Sequence, residues 1–426
     1  MVIEKLYSIY LSHPKIQTDS RKLSAGEMFF ALKGERFNGN DFAQAALDVD
    51  AACVVMDEDR GLTDERIILV EDVLKTLQAL SLHHRKQFDI PVIAITGSNG
   101  KTTTKELIHA VLSSRYRTHT TKGNLNNHIG IPLTLLDMPK DTAIAVIEMG
   151  ANHQQEIRGY CSYVMPTHGI ITNCGKAHLE GFGGVEGVRK GKGELFDHLR
   201  AHDGTAFVMR DLDYLLDMSR GIPHLVTYGS ADADVTGRVL HSEPFLVVGL
   251  DNGDAPCIET QLVGDYNLAN VLVAVTIGRY FKIPDAVIAA AINTYQPSNS
   301  RSQMVVRNSN RIILDAYNAN PTSMRAAIDN LIRQPQEKKV ILIGGMMELG
   351  SESIAEHAAI VSLLQAHSWH LVILVGGDFG HVAHGYKYFP NAAAAAEWLE
   401  KHPVTDALIL LKGSRSMQME MILPAL

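Results

Sequence analysis

The chain has 426 residues, room for two to three domains at roughly 150 residues each. With 46% hydrophobic and 20% charged residues it can bury several ordinary cores, which excludes a disordered polymer. Thirty-nine Lys and Arg against 47 Asp and Glu leave a net charge of −8, so a general nucleic-acid binder with a basic surface is excluded, though not a local basic pocket. The N-terminal stretch MVIEKLYSIYLSHPK carries Glu4 and Lys5 and lacks the apolar run of a signal peptide. No run approaches the ~18 apolar residues that span a bilayer, so no membrane insertion is expected. Cys53, Cys161, Cys174 and Cys257 lack Cys-x-x-Cys spacing and read as buried thiols of a reduced compartment. A cytoplasmic, multidomain monomer is expected.

In chain order, EMFFALKG (Glu27–Gly34) and AACVVMD (Ala51–Asp57) read as strands. VLKTLQALSLHHR (Val73–Arg85) reads as a helix with apolar spacing of three and four. IPVIAITG then opens a new unit, an apolar run entering a Gly-bounded loop and a helix. Strands follow at TAIAVIEMG and THGIITNCG with helices between them, the pattern of a mostly parallel, buried sheet. YNLANVLVAVTIGRYF reads as a helix ending before Ile283-Pro284. TYQPSNSR, with Pro297, Ser298, Asn299 and Ser300, reads as a linker. Beyond it KKVILIGGM, LVILVGGD and ALILLKGS read as strands of another α/β domain, and Ala392–Ala396 as part of a helix.

The sharpest signal is ITGSNGKTTTKELI (Ile95–Ile108). Gly97 and Gly100 allow tight turns and close backbone approach, so consecutive N–H groups can point at phosphate oxygens. Lys101 brings a mobile positive charge, and Thr102 stands where phosphate loops place a Mg²⁺-binding hydroxyl. Ile95 occupies the position of the first Gly of the longer GxxxxGK[ST] pattern. The alternative is a plain Gly-Lys turn; a strand before and a helix after favour a nucleotide. Glu148 ends the apolar run TAIAVIEMG, where a carboxylate is costly to bury without a cation. Its alternative is a turn cap or a lysine partner.

GSNGKTTT is followed in order by TKGNLNNHIGIPLTLL, IEMGANHQQEI, NCGKAHLEGFGG, KGKGELF, LDAYNANPTSM and KGSRSM. This succession resembles the Mur ligase family of peptidoglycan synthesis, over the whole chain. The resemblance implies an α/β protein of three domains: an N-terminal UDP-substrate-binding module (1–85), a central P-loop-type parallel-sheet ATPase domain (86–296) and a C-terminal Rossmann-like domain (297–426). It implies an ATP-dependent amide ligase acting through an acyl phosphate. The implied substrates are UDP-N-acetylmuramoyl-tripeptide and D-alanyl-D-alanine, and the implied cofactors are ATP and two Mg²⁺ ions.

The same resemblance implies roles for residues in matching motifs. Lys101 and the N–H groups around Asn99–Thr103, with Gly97, Ser98 and Gly100 in the same loop, would hold the β- and γ-phosphates, Thr102 and Glu148 the first Mg²⁺, and His178 a second. Lys192, chosen over Lys190 by register against Leu195-Phe196, matches the lysine that the family carbamylates. Asn267 and Asn270 match adenine-side contacts, with helix capping as the alternative. Arg301 matches the arginine reaching the ATP phosphates, although Ser300 precedes it where the family often has Gly. Asp315 matches the ribose contact. Tyr317, Asn318 and Asn320 belong near nucleotide or dipeptide, and Ser414 and Arg415 near the dipeptide carboxylate. Ser20, Arg21, Lys33 and Gly34 match the uridine diphosphate side, and Asn124, Asn126 and Asn127 the muramoyl–diphosphate portion. Gly345 stands where relatives usually show Asp; it lies off the phosphate loop, so the chemistry is expected to tolerate it. Because these residues flank the linker, catalysis is expected to need domain closure. Rival readings are a family member adding a single amino acid, a folylpolyglutamate-synthase-like enzyme, a P-loop ATPase switch and an idle nucleotide-binding relative.

Overall fold

The computed structural model describes residues 2–254, 257–297 and 300–426. Ser298 and Asn299 of the anticipated linker, and Met1, lie outside the described residues. The chain forms two compact units. One comprises Met1–Ala94, Tyr116–Gly150 and Glu156–His168; the other comprises Ile95–Arg115, Ala151–Gln155 and Gly169–Leu426.

In the first unit, Ile16–Gln17, Met28–Phe30, Cys53–Met56 and Ile67–Leu69 form a parallel sheet in that order. Met28, Phe30, Cys53 and Val55 pack on one face with Leu6, Tyr10, Leu77 and Leu80, while Phe29, Val54 and Met56 pack on the other with Ala43, Ala46 and Leu47. Burial on both faces is why these strands read as continuous apolar runs. The helix Val73–Arg85 has its expected bounds, and the Asp72 carboxylate caps it by accepting from Lys75 N–H at 2.8 Å. The expected strand Glu27–Gly34 is shorter. It stops at Phe30, because Leu32 N–H turns back onto Phe30 C=O, and Lys33–Gly34 instead pairs antiparallel with Phe37–Asn38. Thr118–Thr120 runs parallel to Ile144–Glu148, a wholly buried strand.

In the second unit, the helix Lys101–Ser113 packs along Leu268–Tyr280. Thr205–Met209, His224–Gly229 and Val235–His241 pair in parallel, after which Val247–Leu250 and Cys257–Glu259 continue antiparallel. Cys53, Cys161 and Cys174 are buried as expected, but Cys257 is exposed on the outward face of its short strand. A six-stranded sheet follows in the order Gln303–Arg307, Asn310–Asp315, Leu408–Lys412, Lys339–Gly344, Leu371–Val375 and Lys387–Phe389. Only its first hairpin is antiparallel. The three strands anticipated in KKVILIGGM, LVILVGGD and ALILLKGS are its centre. The alanine run lies in helix Ala392–Lys401, capped by the Asn391 side chain.

Two glycine pairs end neighbouring strands of this sheet and pack against each other. A Cβ on Gly345 would stand 2.6 Å from Gly377 Cα, and one on Gly377 would stand 2.7 Å from Gly345 Cα. Backbone cannot yield as a flexible side chain can, so Gly345→Asp should destabilise the protein by about 1–3 kcal/mol through overpacking. Thermal unfolding checks this: a fall of several degrees in Tm is expected, and an unchanged Tm would show that the loops part freely.

Candidate active site

The phosphate loop joins Val92–Thr96 to Lys101–Ser113 in the manner anticipated. Gly97 has φ +145°, and a Cβ there would fall 1.9 Å from Thr172 Oγ1, so no other residue fits. The loop is held by the segment following strand His168–Ile171. Ser98 N–H donates to Asn173 C=O at 2.9 Å, Ser98 Oγ donates to Gly175 C=O at 3.0 Å, and Asn99 N–H donates to Asn173 Oδ1 at 3.0 Å. Thr172 Oγ1 and Asn173 Nδ2 both donate to Asn99 C=O, at 2.6 and 3.1 Å. Lys101 Nζ reaches Gly97 C=O at 2.6 Å and Ser98 C=O at 3.2 Å, so the ammonium sits over the loop. Gly100, at φ +79°, precedes the first turn of the helix, which carries the buried Thr102 and the half-buried Thr103. The positive end of that helix and the Lys101 charge suit an anion.

Asn267 and Asn270 lie buried beneath the loop. Asn267 Nδ2 donates to Val263 C=O, Asn270 Nδ2 donates to Asn267 Oδ1, and Thr104 Oγ1 donates to Asn270 Oδ1 at 2.9 Å. Neither asparagine forms a side-chain cap on helix Leu268–Tyr280. Asn270 also fixes Gly100, where a Cβ would stand 2.7 Å from its Oδ1. Thr172, Asn173 and Thr104 were not singled out from the sequence. Asn173 lies in the quoted motif NCGKAHLEGFGG, whose asparagine was the available signal.

Among the described residues, one C-terminal side chain meets the same loop, and the other anticipated C-terminal residues are held by partners of their own. Asn320 caps helix Pro321–Arg333 through its Oδ1 and sends Nδ2 to Asn99 Oδ1 at 2.7 Å. Thr322 Oγ1 accepts from Lys176 N–H at 3.2 Å. The Arg301 guanidinium stacks 3.6 Å from the Tyr317 ring centroid, its buried Nε without a hydrogen-bond partner among the described residues. Asp315 Oδ2 meets the buried Lys412 ammonium at 2.6 Å, and its Oδ1 accepts from Ser302 N–H at 3.3 Å. Asn318 accepts from Ala319 N–H at its Oδ1 and from Lys412 Nζ at its carbonyl. The Ser414 hydroxyl donates to Ala319 C=O and accepts from Met347 N–H, bracing the loop after Gly345. Arg415 is mostly exposed and paired with Glu420 at 3.0 Å.

His178 has a left-handed backbone, φ +53°, and its Nδ1 lies against Glu348 Oε2. Hydrogen bonding to that imidazole holds the Glu348 carboxyl below its ordinary range. Lys192 is 1% exposed on helix Val185–Ala201, with Nζ 3.1 Å from Ala151 C=O and 5.0 Å from the Phe182 ring centroid; Lys190 on the same helix is exposed.

In the first unit, Glu148 is 1% exposed at the end of its strand. Its N–H donates to Thr121 Oγ1, and its Oε1 accepts from Asn126 Nδ2 at 2.8 Å. Asn127 Oδ1 is used by Ile129 and Gly130 N–H at the entry to helix Gly130–Leu136, while Asn124 is exposed. Arg21 follows Ser20 in a short 3₁₀ turn and forks onto Asp19, whose hydrogen bond from the guanidinium lowers its pKa to about 2. Lys33 pairs with Asp57 at 3.0 Å and Glu58 at 2.8 Å, and the Phe37 ring leaves no room for a Cβ on Gly34.

Three family models match consecutive parts of the chain. Mur ligase family, catalytic domain, matches residues 15–88; Mur ligase middle domain matches 95–278; Mur ligase, glutamate ligase domain, matches 300–415. The chain is 34% identical to the UDP-N-acetylmuramoyl-tripeptide–D-alanyl-D-alanine ligase of Bacillus subtilis, covering 96% of this chain and 92% of that protein. It is also 34% identical to the ligase of the same name from Escherichia coli, covering 96% and 93%. Among solved structures, MurF from Acinetobacter baumannii superposes with a TM-score of 0.86 at 31% identity, covering 96% of this chain and 92% of that one. MurF ligase from Thermotoga maritima in complex with ADP gives 0.87 at 25% identity, covering 97% of each. A likeness that runs through nearly the whole length of both partners, in sequence and in the three-domain α/β fold alike, makes this chain a member of the Mur ligase family.

Proposed function

We infer that the protein joins D-alanyl-D-alanine to UDP-N-acetylmuramoyl-tripeptide with the conversion of ATP to ADP and phosphate, in peptidoglycan precursor synthesis. The observation that carries this reading is the hydrogen bond between Asn320 of the YNANP segment and Asn99 of the phosphate loop. It brings the segment expected near the dipeptide to the loop that suits a nucleotide.

The chemistry follows from a carboxylate being a poor electrophile. The terminal carboxylate of the tripeptide attacks the γ-phosphorus of ATP, the bond to the β-phosphate oxygen breaks, and an acyl phosphate and ADP result. The dipeptide amine then attacks the acyl carbon, loses a proton, and phosphate leaves. Such transfers are accelerated mainly by positioning and by neutralising phosphate charge. Lys101 and the first turn of its helix supply positive charge at the β- and γ-phosphates. Arg301, held over the Tyr317 ring, supplies a second cation toward them. Asp315 and the Asn267–Asn270 pair belong on the nucleoside side. Tyr317, Asn318, Asn320, Ser414 and Arg415 belong on the dipeptide side. Ser20, Arg21, Lys33, Gly34 and the asparagines 124, 126 and 127 belong on the UDP-muramoyl side.

Thr102 and Glu148 would hold one Mg²⁺, and His178 with Lys192 as its carbamate a second; such ions would supply charge neutralisation at the phosphates. Among the described residues no three His, Cys, Asp or Glu side chains form a ready-made metal cage. Mg²⁺ fits such a site, since it binds through one or two protein oxygens completed by phosphate and water. Glu148, buried and oriented by Asn126, is an oxygen donor of the right kind. Lys192 also suits its part: a carbamate keeps one N–H, which can still donate to Ala151 C=O while the added carboxylate extends beyond it. No helix among the described residues is long and apolar enough to cross a membrane. The reading places the reaction in the cytoplasm and on a single copy of the chain.

The direct test combines ATP, UDP-muramoyl tripeptide and D-alanyl-D-alanine, with ADP release followed and the product weighed by mass spectrometry. ADP formation should require both peptide substrates and yield an amide product; turnover without the muropeptide would indicate an ATPase switch instead. For Lys192, alanine substitution should lower kcat by about a hundredfold or more, equivalent to roughly 2.7 kcal/mol of transition-state stabilisation. A short-chain carboxylate added in excess should restore part of it, and Lys190→Ala should be mild. Near-normal turnover of Lys192→Ala would remove the carbamate from the account.

A further inference from the structure

The turn from Lys176 to Glu180 is gripped by three side chains from the C-terminal part of its unit, and none of the roles above uses them. Glu356, on helix Ser353–Gln365, has a side chain only 12% exposed, and its Oε1 lies 2.5 Å from Lys176 Nζ. Thr322 Oγ1 accepts from Lys176 N–H at 3.2 Å, and a Cβ on Gly175 would come within 2.9 Å of the same hydroxyl, so the turn is pressed onto the helix start. Glu348 lies against His178 Nδ1 through its carboxylate and accepts from Glu180 N–H through its carbonyl at 3.5 Å. His178 at φ +53° and Glu348 at φ +62° face each other, and neither is glycine. Residues hold such backbone only where the surroundings over-determine it, and here each side of the contact constrains the other.

We propose that Glu356, Thr322 and Glu348 are positioning residues for the ligation. They fix the Lys176–Glu180 turn, and through it His178, so that this turn takes its working shape only with the C-terminal segment seated on it. The arrangement has a chemical purpose that rests on the ligase reading. An acyl phosphate is open to hydrolysis, and a site completed by the dipeptide-side segment does not expose the intermediate before that segment is in place. The Lys176–Glu356 pair suits the task because its carboxylate is largely withdrawn from solvent. A like charge there is much less tolerable than on an open surface.

The test uses the full chain in four forms: Glu356→Lys, Lys176→Glu, the double exchange Lys176→Glu with Glu356→Lys, and Thr322→Val. Thr322→Val keeps the side chain's shape but removes the acceptor. Amide hydrogen exchange across residues 174–182 is measured beside ligation and the KM for ATP. Each charge reversal should speed exchange in the turn and lower kcat by about tenfold or more, with the KM for ATP within about threefold of the parent; the double exchange should recover most of both losses. Thr322→Val should speed exchange at the Lys176 amide while the fold melts as before. Unchanged exchange in Glu356→Lys, or a double exchange no better than the worse single variant, overturns the proposal. If the parent protein fails to ligate D-alanyl-D-alanine, the functional reading falls, and the exchange data still decide whether these side chains hold the turn.

Discussion

A phosphate loop must satisfy its own polar backbone while staying open to an anion, and much of this site follows from how that is done. Contrary to the expectation that they face phosphate, the Ser98 and Asn99 amides are engaged by Asn173, because its carbonyl and side chain lie alongside the loop. Gly97 C=O and Ser98 C=O take the Lys101 ammonium, and Asn99 C=O takes Thr172 Oγ1 and Asn173 Nδ2. The donors to these carbonyls are side chains, which leaves the backbone path free to curl toward the helix start. The condition for it is close approach: Thr172 Oγ1 occupies the space that a Cβ on residue 97 would need. Asn99 is thereby fixed on its backbone side and can present its side chain to Asn320. The contact between nucleotide loop and C-terminal segment is thus a consequence of the loop's internal bonding.

A second constraint is the register of the C-terminal sheet. Asn310–Asp315 and Leu408–Lys412 pair in parallel with Asp315 opposite Lys412, so two charged residues meet at the strand ends in a buried place. Removing either partner would strand the other as an uncompensated charge, which makes the register hard to slip. The remaining Asp315 oxygen accepts from Ser302 N–H, and Tyr317 N–H donates to Ser300 C=O. The chain entering the domain is therefore tied to the end of the same strand, and Arg301 is delivered onto the Tyr317 ring.

The central strands were legible in the sequence because burial on both faces writes an unbroken apolar run, as in Ile144–Glu148 and Leu408–Lys412. The phosphate loop was legible because its glycines and lysine are local requirements. The break at Ala31-Leu32 was not, since it depends on a turn within an apolar stretch whose composition suits a strand equally well. Nor was the anchoring by Thr172 and Asn173, or the chain from Thr104 through Asn270 to Asn267. Apart from the short Asn270–Asn267 bond, these hydrogen bonds join residues 73 to 166 positions apart, and such bonds leave no local periodicity. Asn126 and Asn127 show a further limit: adjacent residues of one motif do different work, one holding Glu148 and the other the entry to a helix.

Gly345 shows how a departure from a family pattern becomes intelligible in three dimensions. Where the resemblance leads to the expectation of an aspartate, this chain brings two strand ends so close that residues 345 and 377 touch backbone to backbone. The loop after Gly345 is then held by other means. Met346 N–H donates to the buried His357 Nε2 at 3.0 Å, Met347 N–H donates to Ser414 Oγ, and Ser414 N–H donates to Gly345 C=O. Accepting at Nε2 requires the neutral imidazole with its proton on Nδ1, where Ser353 C=O receives it at 2.7 Å, and burial favours that neutral form by lowering the His357 pKa. The side chain that this chain lacks at residue 345 is thus matched by a tighter backbone and a histidine of fixed tautomer. Restoring the aspartate alone would remove the close approach on which these bonds depend.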